Sequence, residues 1–198
     1  PRSGKNTASQ FVCRDGKGRK AMIWICSIFS VICGYFVGAV NPAILLSKCV
    51  YHEDIRNHGS GNPGFTNFKR VYGNNPISWS VLLLDIAKTA VPVYLFALSF
   101  EKQFDMWQFG AALCGFACML GHCFPVWYGF KGGKSFIAGI TTIWVVDWRV
   151  GLICTAVFLL ILFVFKYMSL AAITALGMYP IILAIVGVSS WETEAIAV

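Results

Sequence analysis

Residues 21–47 read AMIWICSIFSVICGYFVGAVNPAILLS, an uncharged stretch whose reading decides the class of fold. A helix of about 20 apolar residues crosses the roughly 30 Å hydrocarbon core of a bilayer, and this stretch is long enough. It is too long for the core of a signal peptide, and further apolar blocks follow it. Asn41-Pro42 near its end predicts a kink that frees backbone groups. Working outward, Ile77–Phe100 is a second span, interrupted by Asp85 and Lys88, and Met106–Phe130 is a third, with His122 its only ionisable residue. Ser135–Val146 and Val150–Phe165 form a shorter pair around Asp147-Trp148-Arg149, a polar, Trp-bearing turn that reads as an interfacial hairpin tip. Ser169–Trp191 closes the series. The expectation is an all-α, polytopic transmembrane bundle of six spans, with Gly-rich loops at one face that are re-entrant or interfacial. No repeat or linker divides residues 21–191, which read as one domain.

Composition agrees: 57% of the 198 residues are hydrophobic and 13% charged, against about 25% charged in soluble domains. The net charge of +7 is concentrated in the first twenty residues, where Arg2, Lys5, Arg14, Lys17, Arg19 and Lys20 face only Asp15. Without them the balance falls to about +2, ordinary for a membrane protein, so nucleic acid is not an expected partner. Residues 1–20 read as a disordered extension or a translation artefact rather than a functional basic arm. Residues 192–198, with Glu192 and Glu194, read as a short acidic stub. Lys48, Arg56, Lys69, Arg70, Lys131, Lys134 and Lys166 fall after spans one, three and five, whereas Lys102 and Arg149 fall after spans two and four. The positive-inside bias therefore puts the first set in the cytoplasm. Cys26, Cys33, Cys114, Cys118 and Cys154 lie inside apolar blocks and act as small hydrophobes. Cys114, Cys118 and His122 share a helix face, but their spacing and number do not make a zinc site, and no metal is expected.

Two loops carry the chemistry. The first reads His58-Gly59-Ser60-Gly61-Asn62-Pro63-Gly64-Phe65-Thr66-Asn67-Phe68-Lys69-Arg70. Gly59, Gly61 and Gly64 permit tight turns, and their amides, with Ser60, Asn62, Thr66 and Asn67, offer many donors. Such backbone nests bind phosphate, and Arg70 can clamp an oxyanion in two-pronged fashion. A merely flexible polar loop is the plainer reading of the same residues. The second loop, Gly129-Phe130-Lys131-Gly132-Gly133-Lys134-Ser135, precedes a helix and so combines free amides, a positive dipole end and a cation. It is not a nucleotide-binding P-loop, because Tyr128 stands where that motif needs Gly. His122, in Gly121-His122-Cys123-Phe124-Pro125, is an intramembrane ionisable residue and hence a site candidate. Asp85 and Lys88, three apart on one helix face, either neutralise each other or form a wall of that site. His52, Glu53 and Asp54 read as a solvated loop face.

At these residues the chain resembles the bacterial integral-membrane acyl-phosphate:glycerol-3-phosphate acyltransferases. The family pattern is GSGN-x-G-x-TN-x-x-R, then D-x-x-KG, then GH-x-x-P with FKGGKG, then YxSLAS. This chain has GSGNPGFTNFKR, DIAKT, GHCFP with FKGGKS, and KYMSLAA, in the same order from about Tyr35 to Ile173. The resemblance implies acyl transfer from an acyl phosphate to the 1-hydroxyl of glycerol 3-phosphate, with no metal, nucleotide or other cofactor and no required oligomer. It implies a multi-pass protein of the bacterial inner membrane, in contact with membrane lipid and active at the cytoplasmic face. By match to the motifs, Ser60, Arg70, Lys134 and Ser169 would hold phosphate groups. Gly132 and Gly133 would shape the glycerol-3-phosphate site, and His122 would help order it. In the family the donor's own phosphate takes the hydroxyl proton. This fits a chain without a His-x4-Asp dyad: five residues after His52, His58 and His122 come Asn57, Pro63 and Trp127. Ser135 replaces the family's last loop Gly, Thr89 replaces the Gly after Lys88, and Ala39 stands where Ser is frequent. Family members carry a seventh span, and this sequence ends after the sixth. Two other readings are an organic-phosphate transporter, which inverted repeats would mark, and a non-catalytic relative that binds acyl donors.

Overall fold

The computed structural model describes residues 7–196, with side chains described over 17–187. All regular structure among them is helical: α1 Thr7–Ala39, α2 Pro42–Tyr51, α3 Phe65–Tyr72, α4 Pro76–Phe104, α5 Trp107–Cys123, α6 Phe136–Val146, α7 Trp148–Phe165 and α8 Met168–Ile196. Single 3-10 turns at Ile55–Asn57 and Val126–Tyr128 punctuate the two loops. Among the described residues five runs are long and apolar enough to cross a bilayer: Lys17–Tyr51, Pro76–Phe104, Trp107–Tyr128, Trp148–Phe165 and Met168–Gly187. The fourth expected span is shorter. Helix α6 has 11 residues, a rise of about 16 Å against the roughly 30 Å of a bilayer core. The loop ahead of it folds back along the end of α5, where Gly132 N–H donates to Cys123 O and Gly133 N–H to His122 O.

The first helix starts earlier than the sequence suggests. It begins at Thr7, so the stretch expected to be disordered through residue 20 is helical from there. Lys and Arg are good helix formers, and Arg19 is anchored, its Nη2 donating to Phe104 O at 2.9 Å. The first six residues lie outside the described ones. At the other end α8 runs to Ile196, and the side chains of Glu192 and Glu194 lie outside the described residues.

The predicted kink at Asn41-Pro42 separates α1 from α2. Pro42 occupies the first turn of α2, where its missing N–H costs nothing, and Asn41 Oδ1 accepts from Ile44 N–H at 3.1 Å. Helix α1 packs on α5, α4 lies against α5 and α6, and α7 pairs with α8. Small residues make the first contact close. Gly34 and Gly38 face Cys114, Ala117 and Cys118, while Gly121 faces the α1 backbone at Tyr35–Ala39. In lipid, where both helices are already in apolar surroundings, such close backbone approach drives association. Cys114 and Cys118 are fully buried in this seam, as expected of small hydrophobes.

A methyl group at position 38 would strike the Cys118 backbone, whereas one at Gly177 on α8 meets open space. Overpacking of this kind costs about 1–3 kcal/mol, and Ala in an open helix position gains about 1 kcal/mol over Gly. Thermal unfolding in detergent should therefore show a lowered midpoint for Gly38→Ala and an unchanged or raised one for Gly177→Ala.

Candidate active site

The Gly-rich first loop has its own core. Ala43, Ile44, Ile55, Phe68 and Val81 are fully buried beneath it, and Tyr51 stacks on Tyr72 with ring centroids 3.9 Å apart. This packing anchors the elements on both sides of the Gly-rich turn. Asn67, 1% exposed, ties the turn together: its Oδ1 accepts from Ser60 N–H at 2.8 Å and its Nδ2 donates to His58 O at 2.9 Å. Gly59 and Gly61 have φ of 60° and 71°, the left-handed region that glycine adopts freely. Gly61 N–H donates to His58 O, Gly64 N–H to Asn62 O, and Asn41 Nδ2 to Pro63 O at 3.1 Å. Several donors expected to face a substrate are thus committed to shaping the loop, Asn67 above all.

The second loop is locked to the first. Arg56 is held by Asp54 through Nε and Nη2, at 3.0 and 2.7 Å, and passes Nη1 across to Tyr128 O at 2.9 Å and Lys131 O at 3.3 Å. Asp54 is therefore no solvated loop residue. Its hydrogen bond with the Arg56 side chain holds its carboxyl down at about 2, and the carboxylate raises the Arg56 pKa in turn. Gly133 lies so close to His122 Nε2 that a Cβ would collide with it, and that Cβ would stand 3.1 Å from Pro63 O. The amides of Gly132 and Gly133 serve carbonyls of α5, so these glycines act by close approach and not as free donors. Ser135 turns its hydroxyl back to Met119 O at 3.2 Å.

Beneath this junction Asp85, Lys88 and His122 meet. Lys88 Nζ lies 3.0 Å from Asp85 Oδ1 and 2.9 Å from His122 Nδ1, and it also donates to Gly38 O and Val40 O at 3.2 and 2.7 Å. Lys88 thus does more than neutralise Asp85. Thr89, in place of the family Gly, turns its hydroxyl onto Asp85 O at 3.1 Å.

Other groups remain uncommitted. Ser60, Thr66, Arg70, Lys134 and Ser169 are exposed, and among the described residues no hydrogen bond or ion pair engages the Ser60, Thr66 or Ser169 hydroxyl, the Arg70 guanidinium, the Lys134 ammonium or the Asn62 amide. The N–H groups that open α3 meet no side-chain cap. By contrast Lys69 rests over the Trp79 ring at 5.1 Å. His58 has an orienting partner that the sequence did not reveal, Glu53 Oε2 at 3.2 Å from Nε2, yet no hydrogen bond joins His58 to Ser60.

A sequence profile for the family described as Glycerol-3-phosphate acyltransferase matches residues 28–198. The chain belongs to this family. Glycerol-3-phosphate acyltransferase of Mesorhizobium japonicum is 38% identical over 156 residues, covering 79% of this chain and 76% of that protein. The protein of the same name from Gluconobacter oxydans is 37% identical over 163 residues, covering 82% and 74%. The crystal structure of PlsY (YgiH), an integral membrane glycerol 3-phosphate acyltransferase, in its glycerol 3-phosphate form matches with a TM-score of 0.72 at 32% identity, covering 81% of this chain and 78% of that one. Its lysophosphatidic acid form gives 0.69 at 31%, covering 81% and 77%. This glycerol-3-phosphate acyltransferase relative is thus an all-helical, multi-pass membrane protein with an acyltransferase fold.

Sequence reasoning missed the Asp54–Arg56 latch and the loop-tying role of Asn67. An acid two residues before an arginine at a helix exit is the signal the sequence offers for the latch. Because the Asp54 pKa is depressed in the fold, the latch is at full strength above the ordinary carboxylate value of 3.8 and is lost as pH falls through about 2. Unfolding followed from pH 5 to 2 should show an acid-sensitive component in the wild type that Asp54→Asn lacks.

Ser135 explains the family's glycine at its position. Its φ is 57°, a conformation costing a side chain roughly 1–2 kcal/mol. Ser135→Ala keeps that cost and loses the bond to Met119, whereas Ser135→Gly loses both. Detergent melting curves should place the Ala variant below the Gly variant, by roughly that 1–2 kcal/mol.

Proposed function

We propose that this acyltransferase moves an acyl group from an acyl phosphate to the 1-hydroxyl of glycerol 3-phosphate, at the cytoplasmic face of a bacterial inner membrane. The products are lysophosphatidic acid and inorganic phosphate, the first step toward a phospholipid. One observation carries the reading. Uncommitted Ser60 and Lys134 sit on two interlocked loops, with Thr66 and Arg70 on the short helix α3 that follows the first, and the second loop runs directly into Phe136 and Ile137, which line an apolar cleft of about 480 Å³ between α4, α6 and α7. A ligand with an anionic head and an acyl tail matches both halves.

In this reading Arg70 and Lys134 hold phosphate groups, with Ser60, Asn62, Thr66 and Ser169 adding donors. The glycerol hydroxyl oxygen attacks the acyl carbon, the bond from that carbon to the phosphate oxygen breaks, and the phosphate leaves with the electron pair. The departing phosphate takes the hydroxyl proton. Cations and N–H groups stabilise the developing charge. The donor is already activated, so the step needs no metal or nucleotide, and one chain supplies every group named. Ser60 binds and is not acylated, because a nucleophilic Ser needs a base within hydrogen-bond reach and His58 faces Glu53 instead.

Purified protein given palmitoyl phosphate and labelled glycerol 3-phosphate should form lysophosphatidic acid, whereas palmitoyl-CoA should not replace the donor. Arg70→Ala and Lys134→Ala should each lower the rate about ten- to a hundredfold, the worth of a charge-assisted contact, while Lys69→Ala changes it little. Rapid quenching with acyl phosphate alone should leave Ser60 unmodified by mass spectrometry; a stoichiometric acyl group there would replace this mechanism with a ping-pong one. A Ser60→Cys variant should resist an impermeant thiol reagent added from outside the cell, and ready labelling would reverse the orientation.

A further inference from the structure

We infer that Lys88 is a positioning residue that fixes the His122 ring with its hydrogen on Nε2, so that His122 serves the site as a neutral hydrogen-bond donor and not as a base. An ammonium has three N–H donors and no acceptor. At Lys88 three aligned acceptors surround it: Val40 O at 2.7 Å, His122 Nδ1 at 2.9 Å and Gly38 O at 3.2 Å. Asp85 Oδ1 lies 3.0 Å away as counter-charge, without the alignment of a hydrogen bond. Since Lys88 can only donate, His122 Nδ1 must accept, and a neutral ring then carries its hydrogen on Nε2.

The competing arrangement would have Nδ1–H donate to Asp85, but that oxygen stands 3.6 Å from Nδ1, beyond hydrogen-bond range. An imidazolium would set two N–H donors against each other across 2.9 Å. The groups facing the ring are thus Asp85 and Lys88 from α4 and, at its other edge, the Gly133 backbone, which no side chain larger than hydrogen could replace. Nε2–H is thereby aimed at the loop that carries Lys134. No acceptor within the described residues takes it, and a phosphate or developing oxyanion on that loop would.

The catalytic part rests on the acyl-transfer reading; the tautomer does not, so spectrum and activity can fail separately. The chain has three histidines, and nitrogen NMR of protein labelled in its imidazole rings can follow all of them, with His122 identified by its loss in His122→Gln. The wild type should show His122 as a single neutral Nε2–H form. Lys88→Met should shift it toward Nδ1–H, with Asp85 as the new partner. An Nδ1–H or imidazolium form in the wild type overturns the inference. In turnover, His122→Gln places an amide nitrogen near the position of Nε2 and should stay within about tenfold of wild type, whereas His122→Asn reaches only the Nδ1 position and should lose about ten- to a hundredfold. Asn equalling or exceeding Gln overturns the donor role. Should Lys88→Met not fold, the wild-type spectrum and the two His122 variants still decide.

Discussion

A membrane-spanning helix leaves carbonyls at its end with no partner in the helix, each at a cost of several kcal/mol if buried bare. Helix α1 ends in this way at Asn41-Pro42, and Lys88 answers it by donating to Gly38 O and Val40 O. The innermost support of the loop face is built on that contact. The break separates α2 from α1, Asn41 caps α2 while reaching Pro63 O, and the ammonium that closes the helix end also grips His122. Asp85, 3% exposed, makes the arrangement tolerable, because a lone cation at this depth would be costly and a paired one much less so.

From this knot the construction is hierarchical. His122 holds Gly133 from two sides, by its carbonyl and by its ring. Gly133 brings the second loop against Pro63 of the first, and Arg56 closes the same junction from the solvent side. The two loops are therefore positioned by a buried ion pair, a close backbone contact and a surface latch. Such support is what holds binding groups in place on elements that would otherwise move.

The spans were legible in the sequence because bilayer thickness imposes a length on apolar blocks. The bounds of α6 were legible too, as the short apolar run 135–146, but counting it as a full span overstates it, and only the fold shows that residues before Ser135 turn back along α5. Helix α1 was placed too late because basic residues mask its first turns. At the site, motif order pointed to Ser60, Arg70 and Lys134, and the structure leaves all three uncommitted. It did not separate binding residues from those that hold the loop. Asn62 and Asn67 look equivalent in sequence, yet Asn67 is buried with both polar atoms engaged. Which amide faces inward is decided by the packing of α3 on Ile44, Ile55 and Val81, and that is a long-range fact.

The same logic sorts the cations, which sequence alone cannot rank. Arg56, Lys69, Arg70, Lys88, Lys131 and Lys134 all lie on or near the two loops. Arg56 is held by a carboxylate and two carbonyls, Lys69 lies on aromatic rings, and Lys88 has every N–H directed to an acceptor. A group already so engaged would have to break those contacts to bind an anion, losing about what it gained. Arg70, Lys131 and Lys134 face no such exchange, so under the proposed function a phosphate held there would receive their full charge-assisted hydrogen bonds. If the proposed function holds, a site for two anionic substrates is distinguished less by the number of its cations than by the framework that leaves some of them free.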